Sequence, residues 1–182
     1  MTLKHTIISI ISLLIIVSSV FAVDLSEFPK MFIEDNDANV ILVVGKAAKA
    51  EDVLGAIDIA VMLQNEIGKV TKLDIARLDN EIDTISEQNL IIVGGPCANS
   101  VAAKLLGYPQ NCLQGFEVGK GMIKLYEFQN GNVALLVAGA LGVDTRRATH
   151  VLANYKDFDM NGTTRIVSKV QMKEVQVKAV VN

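Results

Sequence analysis

The sequence predicts an α/β fold: a mixed, mostly parallel sheet flanked by helices, with a short C-terminal β tail. One pattern occurs three times along the chain: a continuous apolar strand, a turn of small residues and an amphipathic helix. Continuous apolar strands are typical of a sheet that is covered on both faces. The alternation of strands with helices favours parallel pairing with right-handed crossovers.

The first copy of the pattern predicts a strand over residues 39–44, a turn at Gly45-Lys46 and a helix over residues 49–65. The apolar residues of this helix nearly follow the three-and-four spacing that is typical of a buried face. The predicted buried face contains Val53, Ala56, Ile57, Ala60, Val61 and Gln64.

The second copy predicts a strand over residues 90–93 and a helix over residues 100–106, ended by Gly107. The third copy predicts a strand over residues 133–138 and a helix over residues 144–155. Asp144 is the predicted N-cap of that third helix, because an aspartate side chain accepts hydrogen bonds from the free N–H groups of the first turn.

Residues 121–128 and residues 174–179 alternate in polarity as half-buried strands do. Residues 121–128 precede a Gln-Asn-Gly-Asn hairpin signal at 129–132, which predicts an antiparallel strand in the same sheet. Residues 164–170 and 174–179 are also strand-like and form the predicted tail. We therefore divide the chain into residues 1–22, an α/β domain at 23–160 and a β tail at 161–182.

The N-terminal segment predicts export. An apolar run over residues 7–17 follows Lys4 and His5, and Val20-Phe21-Ala22 resembles a signal-peptidase site. Cleavage after Ala22 is the favoured interpretation. An uncleaved anchor is the alternative, because the run and its flanks approach the roughly 20 residues that cross a bilayer. No second apolar stretch of that length follows, so we expect a secreted protein with no membrane span in its mature part.

The composition argues against two kinds of partner for the exported part, nucleic acids and sugars that bind an aromatic platform. The chain has a net charge of −3, whereas a nucleic-acid-binding domain usually has a basic excess. Tryptophan is absent and aromatic residues make up 5% of the chain, which argues against an aromatic platform for sugars.

Cys97 and Cys112 are the only cysteines in the sequence. Outside the cytosol such a pair usually oxidises, and closing a loop of this length stabilises a fold by about 3 kcal/mol. A reactive thiol is the alternative, and it needs an activating base. The exported part has one histidine, His150, far from both cysteines in sequence. The sequence therefore favours a disulfide.

Motifs for catalysis or cofactor binding are missing. Gly94-Gly95-Pro96 lacks the three spaced glycines of a dinucleotide site, and Gly45-Lys46 lacks the Ser or Thr of a phosphate loop. The chain has no Gly-x-Ser-x-Gly nucleophile motif. Arg146 and Arg147 could hold an anion, but such a pair more often faces solvent or forms internal ion pairs. We expect no enzymatic activity and no cofactor, with calcium as the one candidate ion.

Residues 157–163 contain two competing local signals. Asn161-Gly162-Thr163 is an N-glycosylation triplet. Asp157, Asp159 and Asn161 match the first half of a calcium loop, but Ser168 stands where the closing acid is needed. A polar turn that ends a helix is the favoured alternative to the calcium site. A glycan and a metal ion compete for Asn161, so the two predictions exclude each other.

The charges are distributed unevenly along the chain. Residues 74–87 are acidic and the tail is basic, which suggests a head-to-tail contact between copies. The charged residues of this hypothetical contact are Asp79, Glu81, Asp83, Lys169, Lys173 and Lys178.

The segment 90–107, which reads LIIVGGPCANSVAAKLLG, resembles a recurring segment of archaeal surface-layer (S-layer) proteins. The likeness continues through residues 112–124, 132–139 and 144–155, and covers most of residues 39–158. A looser likeness to bacterial cell-wall-binding repeats rests on the Val-Gly-Gly-Pro turn.

The resemblance implies an α/β domain of the cell envelope that is a building block of a lattice and not an enzyme. S-layer proteins of this type usually carry further β-rich domains, so an accessory, envelope-attached protein fits as well as a lattice subunit. The expected partners are further copies or other envelope proteins at the extracellular surface. A cell-wall-binding or glycan-binding accessory module is the alternative function.

Overall fold

The computed structural model describes residues 23–68 and 75–168. Its strands are β1 (Ile33–Glu34), β2 (Asp37–Ala38), β3 (Ile41–Val44), β4 (Ala76–Leu78), β5 (Leu90–Val93), β6 (Gly121–Glu127), β7 (Val133–Gly139) and β8 (Thr164–Val167). Its α-helices are α1 (Ala50–Ile67), α2 (Ser100–Leu105) and α3 (Gly142–Ala153). Within these described residues, no helix has both the length and the apolar character needed to cross a membrane.

Six strands form one mixed sheet in the order β4-β3-β5-β7-β6-β8, which confirms the predicted fold class. β4, β3, β5 and β7 are parallel, while β6 pairs antiparallel with β7 and β8 pairs antiparallel with β6. The predicted hairpin joins β6 to β7, and Gly131 in it has a φ of 86°, which favours glycine. β1 and β2 form a separate two-stranded ribbon.

The helices cover both faces of the sheet, and β5 shows why its sequence is continuously apolar. Ile91 and Val93 belong to the cluster that includes Ile59 of α1 and Leu152 of α3. Leu90 and Ile92 point to the opposite side, into the cluster that includes Val101 of α2. All four β5 side chains are fully buried. Burying an aliphatic side chain of this size contributes roughly 1.5–3 kcal/mol, so each face contributes to stability.

The predicted buried face of α1 was wrong for three of its residues. Val53, Ile57 and Val61 are 42%, 51% and 55% exposed. The helix instead buries a face that includes Ile59 and Leu63, while Ala56 is buried as predicted and Ala60 and Gln64 are half-buried.

Gly55 explains why α1 buries this face and not the predicted one. A Cβ atom at Gly55 would lie 2.4 Å from Thr149 Oγ1 of α3, so the missing side chain lets the two helices approach closely. Because α1 is apolar on two sides, its periodicity could not identify which side meets α3.

The predicted N-cap of the third helix was also wrong. α3 begins at Gly142, and its N-cap residue is Leu141. Asp144 lies at the third position of the helix, from which its Oδ2 accepts a hydrogen bond from Leu141 N at 3.3 Å. The carboxylate therefore accepts the N–H of the N-cap residue from inside the first turn.

The predicted tail begins within the sheet, because β8 is an edge strand paired with β6. The predicted signal segment at 1–22, the strand at 174–179 and the residues Lys169, Lys173 and Lys178 lie outside the described residues. The division of the chain at residues 22 and 160 stays a prediction.

Candidate functional site

The carboxyl edge of the parallel strands is the place where open α/β sheets usually bind ligands. The chain passes from β3 to its neighbour β4, and then to β5 on the other side of β3. This change of direction makes a topological switch point between β3 and β5. α1, α2 and α3 follow β3, β5 and β7, so all three helices begin at this edge. Their N-termini are where a bound phosphate would be expected.

Side chains of the protein itself occupy these three helix N-termini. Asp52 Oδ2 accepts a hydrogen bond from Lys49 N at 3.1 Å at the start of α1. Asn99 Oδ1 accepts from Val101 N and Ala102 N at 3.0 and 3.3 Å at the start of α2. Asp144 Oδ2 accepts from the N-cap residue Leu141 in the same way as Asp52 does from Lys49. The first-turn N–H groups of α2 are thus already engaged, and in α1 and α3 a carboxylate lies at the positive end of the helix dipole.

Asn99 also joins two strands of the sheet. Its Nδ2 donates to the carbonyl oxygens of Val43 at 3.3 Å and Val93 at 3.0 Å, which belong to β3 and β5. The residue is 1% exposed, so all four hydrogen bonds are shielded from water. One side chain therefore holds the β3–β5 switch point and the start of α2 together.

Asp79 is a further internal carboxylate at this edge. It is buried, and its two oxygens accept from Lys46 N at 2.8 Å and from Ser100 N at 2.6 Å. Burial raises its pKa, but these N–H donors lower it more, and the net pKa lies below the ordinary value of 3.8. Asp79 was predicted to take part in an acidic docking surface, but its carboxylate lies inside the fold.

Asp144 anchors the long connection between α2 and β6. Its Oδ2 accepts from Gly119 N at 3.1 Å, and its Oδ1 pairs with Arg147. Arg147 also donates to the carbonyl oxygen of Gly119 at 3.3 Å. The neighbouring Arg146 pairs with Asp58 of α1 at 2.5 Å. Both arginines therefore form internal ion pairs, the alternative that the sequence favoured over an anion site.

The Cys97–Cys112 disulfide confirms the sequence interpretation of the two cysteines. Their Cα atoms are 5.0 Å apart, and the bridge ties the turn after β5 to the loop that follows α2. Both residues line a cavity of about 150 Å³ at the carboxyl edge, together with Pro96, Asp52 and Thr145. The disulfide is thus part of the wall over the switch point.

Removing the disulfide is expected to lower the free energy of unfolding by about 3 kcal/mol, because the two cysteines lie 15 positions apart in sequence. Urea unfolding of the double variant Cys97→Ala/Cys112→Ala, compared with the oxidised chain, measures this loss. Reduction of the wild type should reproduce it. An unchanged unfolding midpoint in both experiments would contradict the structural role of the bridge.

Asp52 differs from Asp79 in its hydrogen bonds. It is 3% exposed, and within the described residues its Oδ1 has no hydrogen-bond partner. Burial raises its pKa above the ordinary 3.8, and the hydrogen bonds from Lys49 N and the Thr145 side chain only partly offset this effect. The ionised form of Asp52 therefore costs stability, and this cost appears as the pH rises through the raised pKa.

We expect Asp52→Asn and Asp79→Asn to have opposite effects at pH 7. Asp52→Asn should raise the free energy of unfolding, because it removes a buried charge and keeps an acceptor for Lys49 N. Asp79→Asn should lower it by roughly 1–2 kcal/mol, because an amide has one acceptor oxygen for two N–H donors.

Urea unfolding at pH 7 and pH 3 tests this pair of variants. The stabilisation due to Asp79 is present above its ordinary pKa of 3.8 and lost as the pH falls through the lower native pKa. Both differences from the wild type should therefore shrink at pH 3. Equal signs at pH 7 would contradict the assignment.

The predicted calcium residues lie in the turn after α3. Asp159 Oδ1 accepts from Asn161 N and Nδ2 at 3.1 and 2.5 Å, and its Oδ2 pairs with Arg165 at 3.0 Å. Asp157 lies in the 3-10 turn Tyr155–Asp157. Among the residues that the structure describes, no group of three or more Asp, Glu, His or Cys converges on one point. Calcium binding here stays a prediction.

The remaining predicted site residues lie at the surface. Asn161 is exposed, so its side chain is accessible to solvent. The next residue, Gly162, has a φ of 84°. Glu81 and Asp83 are exposed, and Glu81 Oε2 accepts from Leu78 N at 2.6 Å. The structure does not place the basic partners of the predicted docking contact, so that contact stays a hypothesis.

The internal roles of Asp52 and Asn99 were not predicted from the sequence. The sequence contains a signal for both residues. Asn99 directly precedes an apolar helical run and Asp52 lies near the start of another, and both are positions where polar side chains cap helices. The long-range partners of Asp79 and Asp144 had no such signal, since they lie 21–33 residues away in sequence.

The chain matches a known protein family. A family model described as "S-layer like family, outer domain" matches residues 24–70 and 63–156, which is more than half of the chain. The comparison with curated proteins gave no match. The matched segments contain the parallel strands, all three helices and the occupied carboxyl edge. Membership of such a family indicates a structural role at the cell surface. The chain belongs to the S-layer like family.

Proposed function

We propose that this protein is an exported structural domain of the cell envelope that assembles into an S-layer or attaches to one. The family match over residues 24–70 and 63–156 carries the proposal. A structural domain needs a rigid frame, and the disulfide and the Asn99 and Asp144 contacts supply one at the carboxyl edge.

We further propose that the domain has no enzymatic activity. The proposal is supported by the side-chain contacts at the carboxyl edge, which is where a fold of this kind usually binds a substrate or a phosphate. Asp52, Asn99 and Asp144 occupy the helix N-termini there, and Asp79 engages two more N–H groups. Such contacts build a scaffold instead of an open anion site.

The first test is the mass in solution of the full chain after secretion from an expression host, with calcium and with a chelator. Growth into oligomers or sheets is the expected result. Growth only with calcium would support the site at Asp157, Asp159 and Asn161. A monomer under both conditions that also fails to bind isolated envelopes would overturn the proposal.

A pull-down with purified envelope separates assembly from attachment. A chain that stays monomeric but binds protein-free cell-wall or glycan polymer would instead be an accessory binding module. The intact mass of the secreted chain tests export in the same preparation. We expect an N-terminus at Val23, and a mass above that of the polypeptide would support a glycan on Asn161.

A further inference from the structure

Asn130 and Asn161 are the two asparagines in the sequence that a glycine follows. Asparagine is a thermolabile residue, because the backbone nitrogen of the next residue attacks its side-chain amide. Glycine as the next residue has no Cβ atom to hinder that attack. These two Asn-Gly pairs are therefore the places where the chain is most open to spontaneous deamidation.

The reaction consumes water and releases ammonia. At the second pair, the Gly162 N–H loses its proton to a base in solution, and the nitrogen then attacks Cγ of Asn161. The bond from Cγ to Nδ2 breaks, and Nδ2 takes protons from water and leaves as ammonia. Water opens the resulting succinimide ring at one of its two carbonyl carbons, which gives aspartate or isoaspartate. A group that holds the proton on the glycine nitrogen therefore slows the reaction.

The Asp24 carboxylate holds this proton in the folded protein. Its Oδ2 accepts a hydrogen bond from Gly162 N at 2.7 Å, and its Oδ1 accepts one from Ser26 N at 2.8 Å. The hydrogen bonds from Ser26 hold the pKa of the Asp24 carboxyl below its ordinary value, so the group is ionised at pH 7. An ionised acceptor binds an N–H more strongly than a neutral one, and its charge opposes loss of the proton.

The segment that carries Asp24 is fixed by residues of the core. Leu25 is fully buried and Phe28 is 3% exposed. Leu25 N also donates to the carbonyl oxygen of Gly162 at 2.9 Å, so Gly162 is bound through both its N–H and its carbonyl group. The turn that contains Asn161 is thus held by a segment 138 residues earlier in the sequence.

The other Asn-Gly pair is held by different contacts. Gly131 N donates to the neutral carbonyl oxygen of Phe128 at 2.9 Å within the hairpin. The Asn130 side chain is bound at both ends, because its Nδ2 donates to Ser86 O at 2.7 Å and its Oδ1 accepts from Asn132 N at 3.2 Å. This pair is therefore an internal reference for the same reaction in the same molecule.

We propose that Asn161-Gly162 is a deamidation site that the Asp24 carboxylate restrains. Asn161 is exposed, so water and base reach its side chain. Detachment of the N-terminal segment frees the glycine nitrogen and starts the conversion. The product adds a negative charge beside Asp159 and removes the nitrogen that carries an N-glycan, so deamidation and glycosylation of Asn161 exclude each other. This inference does not depend on how the protein assembles.

Asp24→Ala in the full chain, secreted by a host without N-glycosylation, tests the restraint. Peptide mass spectrometry during incubation at mildly alkaline pH follows the conversion of both asparagines. We expect conversion of Asn161 to accelerate roughly threefold to tenfold, and that of Asn130 to stay unchanged. Asp37→Ala is the matched control, because exposed Asp37 accepts from the N–H of its neighbour Ala38 at 2.8 Å. It should leave both rates at the wild-type value.

The wild type unfolded in guanidinium chloride gives the unrestrained rate without any substitution. Asn161 should convert roughly tenfold faster there than in the folded chain. Equal rates in the folded and unfolded wild type would overturn the proposal. So would an Asp24→Ala chain in which Asn161 does not accelerate relative to Asn130, because Asp24 would then stabilise the whole fold or neither site. Asp24→Asn keeps a neutral acceptor oxygen and should give a smaller acceleration than Asp24→Ala.

Discussion

Gly45→Ala is expected to destabilise the protein by about 3 kcal/mol, the upper end of the usual cost of overpacking. A Cβ atom at this position would lie 2.0 Å from Ala98 O, 2.6 Å from Ala98 C and 2.9 Å from Asn99 Cα. All three are backbone atoms, so no side chain can rotate away. The alanine would push the turn after β5 away from β3 and displace Asn99 from the ends of both strands.

Urea unfolding measures the effect, and Gly142→Ala is the matched control. Gly142 begins α3, and the nearest atoms to its added Cβ belong to the flexible Glu51 side chain at 3.1–3.3 Å. Alanine also favours a helix over glycine by about 1 kcal/mol. The control should therefore change stability by about 1 kcal/mol or less. A Gly45→Ala variant as stable as this control would show that the approach of the two turns is loose.

Asn99→Ala is the second substitution with a large expected effect, also about 3 kcal/mol. Loss of the N-cap of α2 costs about 1 kcal/mol. The carbonyl groups of Val43 and Val93 lose a donor in a buried site, which costs roughly 1–3 kcal/mol more. Thermal and urea unfolding should both show the loss.

Two comparisons identify the cause of that loss. Asn111→Ala removes an exposed asparagine whose side chain accepts from Leu113 N within its turn, and it should cost less than about 1 kcal/mol. Asn99→Asp keeps the cap but places a carboxylate against two carbonyl oxygens, so its destabilisation should diminish as the pH falls. Similar losses at positions 99 and 111 would mean that the bridge between β3 and β5 contributes little.

The sequence predicted the sheet well because each signal was local. β5 is short, apolar and followed by glycines, and its burial on both faces explains that pattern. The alternation over β6 and the Asn-Gly turn after it predicted the antiparallel pair. The disulfide was predictable because the N-terminal segment predicted export and the two cysteines lie 15 positions apart in sequence.

The buried side of α1 and the interior of the candidate site were not predictable in this way. Val53 and Ile57 are as apolar as Ile59, so only the close approach of Thr149 to Gly55 decides which side is buried. The acidic residues of segment 74–87 differ in burial for a similar reason. Asp79 meets Lys46 N and Ser100 N only after β3, β4 and α2 are assembled, whereas Asp83 stays exposed.

The occupied helix ends also affect how this domain responds to its environment. A protein at the cell surface meets a medium whose salinity the cell does not control. Asp144 and Asp79 are buried, and salt screens buried charges much less than exposed ones. Because the counter-charges of the helices lie within the fold, a rise or fall in external salt should leave the strand–helix junctions unchanged. Such a domain would keep its shape in brackish, fresh or hypersaline water.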